Sequence, residues 1–265
     1  MTSPTDASVL GSMMRLPRGP RHPRPRRPGY NPAEMSDAGA LVAALRRHGG
    51  TFAPVIPFDL GAGEPVVFDL TSANRELEHV RIHDTVAFSE YLFEQIATRR
   101  PPVGIGRWDE DRVQYRHSPL FDDATERRSV HLGIDLFVTP GTPVHAPLAG
   151  RVHSFADNDR LGDYGPTVIL EHRLDGIPFH TLYGHLSRPS LEGLQPGPAF
   201  AAGDRLGWVG EQHENGSWPP HLHFQIIADL QGMAGDFPGV AAPSQRARML
   251  DLCPDPNLIL GIRGL

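Results

Sequence analysis

Proline and glycine interrupt this chain too often for long helices. Of 265 residues, 27 are Pro and 28 are Gly. Pro lacks the amide proton a helix needs and Gly loses the most freedom on ordering, so both end regular elements. From about Val130 onward, short β-prone runs alternate with turn residues: LGIDLFV, TPVHAP, GRVHSF, PTVILEH, FHTLYGHL, DRLGWVG and HLHFQII. This rhythm predicts a mainly β, antiparallel domain over residues 125–265. Gly141, Gly150, Gly165, Gly184, Gly203 and Gly210 are expected at turns or sheet bends. After Ile227 the pattern loosens, with turns expected at FPGV and DPNL.

The front of the chain has a different texture. Residues 1–35 are rich in Pro, Arg and Gly, with six Arg between Arg15 and Arg27. Such a stretch buries too little apolar surface to offset its ordering entropy, so a disordered tail is expected. Residues 36–124 predict a small N-terminal α/β extension. Ser36 and Asp37 suggest an N-cap, followed by an apolar face of Leu41, Val42 and Leu45 and a stop at Gly49 and Gly50. Strands are expected at 53–58 and 66–70. Asp84 is expected to cap a second helix carrying Val86, Phe88, Tyr91, Leu92 and Ile96, which ends before Pro101 and Pro102.

Composition removes several function classes. All 25 basic residues are Arg, so a Schiff-base lysine and a phosphate-loop lysine are both excluded. HAPLAGRV and AGDRLGWVG resemble the hairpins of lipoyl and biotinyl carrier domains, but a carrier needs an acceptor lysine. The net charge of -6 gives no reason to expect nucleic acid as a partner. One cysteine, Cys253, permits no internal disulfide. No apolar run has the length of a membrane span. The basic N-terminal stretch is not followed by an apolar segment of the kind a secretory signal carries, so the expected compartment is the cytoplasm.

What remains is a set of histidines and one aspartate in three short runs: HLGID at 131–135, LYGHL at 182–186 and HLH at 221–223. Residues an even number apart on a strand share a face, so His131 pairs with Asp135 and His221 with His223. His185 lies between the two motifs. Five such side chains around one point would be costly to bury without a metal or hydrogen bonds to satisfy them. Imidazole and carboxylate are preferred zinc ligands, and a catalytic zinc keeps one position for water. The set therefore predicts a metal-dependent hydrolase. His145, His153, His172, His180 and His213 are expected to be solvated or hydrogen-bonded strand residues, and Cys253 a small core residue.

The ordered series HLGID, GTPVHAPLAGRV, DYGPTVILEH, TLYGHLS, GDRLGWVG and PPHLHFQ over about 125–230 resembles the lysostaphin/LytM-type zinc metallopeptidases. That resemblance implies an antiparallel β domain, with His131, Asp135 and His223 as zinc ligands and His185 and His221 as catalytic imidazoles. It also implies hydrolysis of peptide bonds, with peptidoglycan or its fragments as substrate. Tyr183 and Trp218 are expected to line the substrate groove. Two departures stand out: Pro219 and Pro220 replace the usual small residues before H-x-H, and Gln225 replaces the common Glu after HLHF. DYGPTVILEH and ENGSWPPHLHFQII are most similar to a cytosolic subgroup fused to kinase-like and class-III aminotransferase domains. For that subgroup the alternative is a non-catalytic or small-amide-acting module with bound zinc, functionally linked to a kinase-like or aminotransferase protein.

Overall fold

A computed structural model describes residues 34–117, 119–122 and 126–265. The expected tail lies outside them, save its last two residues. These open helix α1 (Glu34–Arg47), which therefore begins before the cap expected at Ser36 and Asp37. Leu41 and Leu45 of α1 are buried. The stretch 53–58, expected as a strand, forms bends instead, although Val55 and Ile56 are buried. Strand β1 (Val66–Phe68) falls within its expected range. Helix α2 (Thr85–Ile96) starts at its expected cap, where the Asp84 carboxylate accepts from the amides of Val86 and Ala87. Its buried face is Phe88, Leu92 and Ile96, whereas Val86 is exposed.

Strand β2 (Gly104–Gly106) pairs with β1 in parallel. The rest are β3 (Val130–His131), β4 (Ile134–Phe137), β5 (Pro143–His145), β6 (Gly150–Asn158), β7 (Gly165–Leu174), β8 (Ile177–Gly184), β9 (Ala199–Phe200), β10 (Arg205–Trp208), β11 (His221–Ile227) and β12 (Val240–Ala241). The main sheet has the order β1-β2-β4-β11-β8-β7-β6-β9, antiparallel except for β1 and β2. The fold is thus mainly β, as the alternation predicted. Two short pairs flank the sheet: β5 with β10 and β3 with β12. Helices α3 (Arg246–Leu252) and α4 (Asn257–Leu260) close the chain. DPNL, expected as a turn, instead leads into α4, where the Asp255 carboxylate accepts from the Asn257 amide.

Alternation along β4 and β11 separates the core from the site. Ile134, Leu136, Leu222, Phe224 and Ile226 join the largest apolar cluster on one face. Asp135, His221, His223 and Gln225 point to the other. Complete burial of the aliphatic members of this core offsets ordering entropy at ~25 cal/mol per Å² of apolar area removed from water. It also fixes register, because a slip by one residue would exchange the faces. The strands β1 and β2 of the N-terminal segment extend the same sheet that carries Asp135. No helix among the described residues is long and apolar enough to cross a membrane.

Candidate metal centre

The register places His223 of β11 directly opposite Asp135 of β4, and His221 opposite Phe137. His131 arrives differently from the sequence expectation. HLGID is not one continuous strand; β3 stops at His131 and the chain bends at Leu132 and Gly133 before β4. Antiparallel pairing of His131 with Val240 of β12 holds the short strand beside the sheet. Gly133 allows this approach, since a Cβ there would lie 2.5 Å from His223 Cε1 and 2.8 Å from the Phe224 carbonyl oxygen. Gly133→Ala is expected to push His223 off its position and weaken metal binding at least tenfold, measured by competition with a chelator. Unchanged affinity would show that the close approach is not needed.

The result is a tight triangle of donor atoms. His131 Nε2 lies 3.0 Å from His223 Nδ1 and 3.2 Å from Asp135 Oδ1, and His223 Nδ1 lies 3.1 Å from the same oxygen. Ligands bound tetrahedrally at zinc distances of about 2.0–2.1 Å are separated by about 3.3 Å. The triangle therefore fits one small divalent ion with a fourth position open. All three residues are buried, and they form the one metal-capable group among the described residues.

Each imidazole of the site is oriented through its second nitrogen. His131 Nδ1 donates to the Arg107 carbonyl at 2.9 Å, His185 Nδ1 to the Asn215 carbonyl at 2.8 Å, and His221 Nδ1 to the Pro219 carbonyl at 2.7 Å. His223 Nε2 donates to Gln225 Oε1 at 2.8 Å. A carbonyl oxygen can only accept, so each contact fixes the proton on the outer nitrogen and leaves the inner one with a free lone pair. Burial keeps the rings of His131, His185 and His221 neutral. It brings His131 down to about 3, helped by the Arg112 charge, and lowers His221 against the pull of Asp135. His185 falls well below the ordinary range through burial and the neighbouring His221 and His223. Burial alone would raise Asp135, but His131, Arg112 and His221 outweigh it and hold the carboxyl ionised.

These shifts carry a pH signature. His131 and His172, the latter lowered to about 4 by burial, bind protons less readily folded than unfolded. Between pH 6.5 and about 3–4 the unfolded chain takes up protons that the native state refuses. Stability of the metal-free protein is then complete above pH 6.5 and falls with acid, by up to ~1.4 kcal/mol per pH unit for each group. Urea midpoints of chelator-treated protein should drop from pH 7.5 to pH 5. A flat profile would contradict the buried neutral state.

The two remaining histidines stand beside the triangle. His185 follows directly on β8 in the left-handed region (φ 62°), and its ring centroid lies 4.1 Å from that of His221. His221 Nε2 is 3.6 Å from Asp135 Oδ1. Asp135, His185, His221 and His223 all face a cavity of about 280 Å³, with Trp218 on its wall. Trp218 packs on Tyr115 and Phe121, so the aromatic wall comes partly from the N-terminal segment. Tyr183 is not in the groove; it is fully buried in the apolar core beside Phe224, its hydroxyl accepting from Thr181. Two tyrosines line the cavity, Tyr115 and Tyr164, the latter seated where Gly184 and Gly239 leave room for its ring.

Sequence reasoning missed most of the supporting residues. Arg112, fully buried, donates to Asp135 Oδ2 at 2.5 Å and to Glu110 Oε2 at 2.9 Å. Asn215 holds His185 through its carbonyl and brackets Trp218 through its amide side chain. Gln225 was legible only as a departure from a pattern, yet it fixes His223 while donating to the Pro238 carbonyl and Cys253 Sγ. The spacing Glu110-x-Arg112 was the one available signal for the Arg, and it says nothing of burial.

Residues 129–234 match peptidase family M23. An "uncharacterized metalloprotease" of Haemophilus influenzae is 36% identical over 102 residues, covering 38% of this chain and 19% of the relative. Lysostaphin of Staphylococcus staphylolyticus is 32% identical over 100 residues, again 38% of this chain and 19% of the relative. The chain thus spans about a fifth of the length of the curated relatives it matches. The catalytic domain of lysostaphin from Staphylococcus simulans superposes with a TM-score of 0.33 at 27% identity, covering 45% of this chain and 80% of that one. The matched segment holds all five site residues, whereas Glu110, Arg112 and Tyr115 lie before it.

Proposed function

We propose that this protein is a zinc-dependent metalloendopeptidase that hydrolyses peptide bonds, with peptidoglycan peptides or their fragments as substrate. The observation that carries this reading is the buried donor triangle of His131, Asp135 and His223, each imidazole oriented by a partner on its far side. Zinc held there would act as a Lewis acid toward a peptide carbonyl and acidify a water molecule. His221 Nε2, unprotonated and next to Asp135, is positioned to take a proton, and the carboxylate would stabilise the resulting imidazolium. His185 Nε2 is likewise unprotonated, so it accepts a hydrogen bond from the attacking water rather than donating to an oxyanion. Burial and Asp236 raise the Tyr164 hydroxyl well above its usual value, so it stays protonated and supplies a donor in the cavity. Trp218 and its aromatic neighbours would seat the substrate chain.

The loop ENGSWPP supplies the carbonyls that orient His185 and His221. Its likeness to the cytosolic subgroup supports a second substrate class, small intracellular amides, and a link to kinase-like or aminotransferase partners. Metal analysis combined with digestion of peptidoglycan and of a peptide library separates the possibilities. One zinc per chain and new peptide termini from peptidoglycan are expected. Cleavage of small amides alone would favour the second class. Bound zinc with no turnover would refute the enzymatic reading.

A further inference from the structure

We propose that Arg112 is a positioning residue for the metal centre, one that makes Asp135 a single-oxygen ligand and ties its placement to that of His131. This rests on the zinc reading above. The guanidinium is fully buried and engages four acceptors. Nη1 donates to Asp135 Oδ2 at 2.5 Å and to the Tyr115 hydroxyl at 3.3 Å. Nε donates to Glu110 Oε2 at 2.9 Å, and Nη2 to the Arg107 carbonyl at 3.1 Å. That same carbonyl accepts from His131 Nδ1. One planar group therefore fixes a carboxylate ligand directly and an imidazole ligand through a shared oxygen.

Geometry assigns the two carboxylate oxygens different tasks. Oδ2 is taken by the guanidinium, so only Oδ1 faces the two imidazole nitrogens, at 3.1 and 3.2 Å. The buried charge is itself backed by Glu110, whose other oxygen accepts from the Leu70 amide at the end of the β1 region. Gly106 leaves room for the group, since a Cβ there would lie 2.6 Å from Arg112 Nη2. Every part of this brace lies between residues 70 and 115, outside the family-matched span. The metal site is thus completed by the N-terminal segment.

Lysine keeps the charge but cannot span acceptors on three sides of a planar fork. Arg112→Lys is expected to weaken zinc binding 10- to 100-fold, the range for outer partners of metal ligands, measured by chelator competition. In the cobalt(II)-loaded protein, the strong visible absorption of a four-coordinate ion should weaken as Asp135 becomes free to bind through both oxygens. The double variant Glu110→Gln/Arg112→Met removes the Glu110–Arg112 pair together, so Glu110 is not left charged without its partner, and should show the same two changes. Circular dichroism and metal-free melting report on the fold. Zinc affinity within twofold of wild type in either folded variant would overturn the proposal, even if the melting temperature fell. Failure of the metal reading itself looks different, because the wild-type protein would then bind no zinc.

Discussion

Asp135→Asn is expected to abolish zinc binding and peptide hydrolysis while leaving the fold intact. The substitution preserves shape and removes the charge. Arg112 Nη1 needs an acceptor, so the Asn carbonyl oxygen will turn toward it, where Oδ2 stood. The amide nitrogen then occupies the place of Oδ1, facing His131 and His223 with no lone pair to offer a metal. The loss should exceed the ~100-fold that changes to outer partners cost. Asp135→Ala is a poorer test, because it leaves a gap beside a fully buried guanidinium and removes one of its acceptors, and so threatens folding. The measurements are metal content, chelator-competition affinity and release of peptide termini. An Asp135→Asn protein that keeps stoichiometric zinc and full turnover would remove the basis of the proposed function.

Replacing the two histidines beside the triangle should separate chemistry from metal binding. His221→Ala and His185→Asn are each expected to lower turnover by about 10²–10⁴, the range for a proton-handling group, with zinc content unchanged. Asn suits position 185 because its backbone is left-handed there, a conformation Asn tolerates well. Both rings lie on the cavity wall, and neither donates an atom to the near-equilateral triangle. Loss of zinc in either variant would reassign that residue to the metal, and unchanged turnover would remove it from the mechanism.

Much of this architecture was written in local pattern. The runs from LGIDLFV to HLHFQII became strands because their β-branched and aromatic residues alternate between turn residues. His221 and His223 share a face for the same reason. The Asp84 cap worked because a side-chain oxygen two or three residues from free amides needs no distant partner. The failures were non-local. The stretch 53–58 looks strand-like, but Ile56 is buried through bends rather than through a ladder. Tyr183 sits in a motif rich in site residues, yet strand parity turned it into the core. His131 and Asp135 share a site through a bend at Gly133, a solution that even spacing on one strand cannot describe.

The sequence alone determined which donors were available and that a β domain would carry them. Short-range alternation decides which side chains share a face, and no lysine and only one cysteine remain to support rival chemistries. Tertiary structure decided that three donor atoms meet within 3.2 Å. It also decided which nitrogen of each imidazole faces inward, and that a buried arginine from the N-terminal segment holds the carboxylate. Those features depend on contacts between residues far apart in the chain, such as Arg112 with Asp135 or Gly133 with His223. Local propensity carries no information about such contacts until the sheet brings them together.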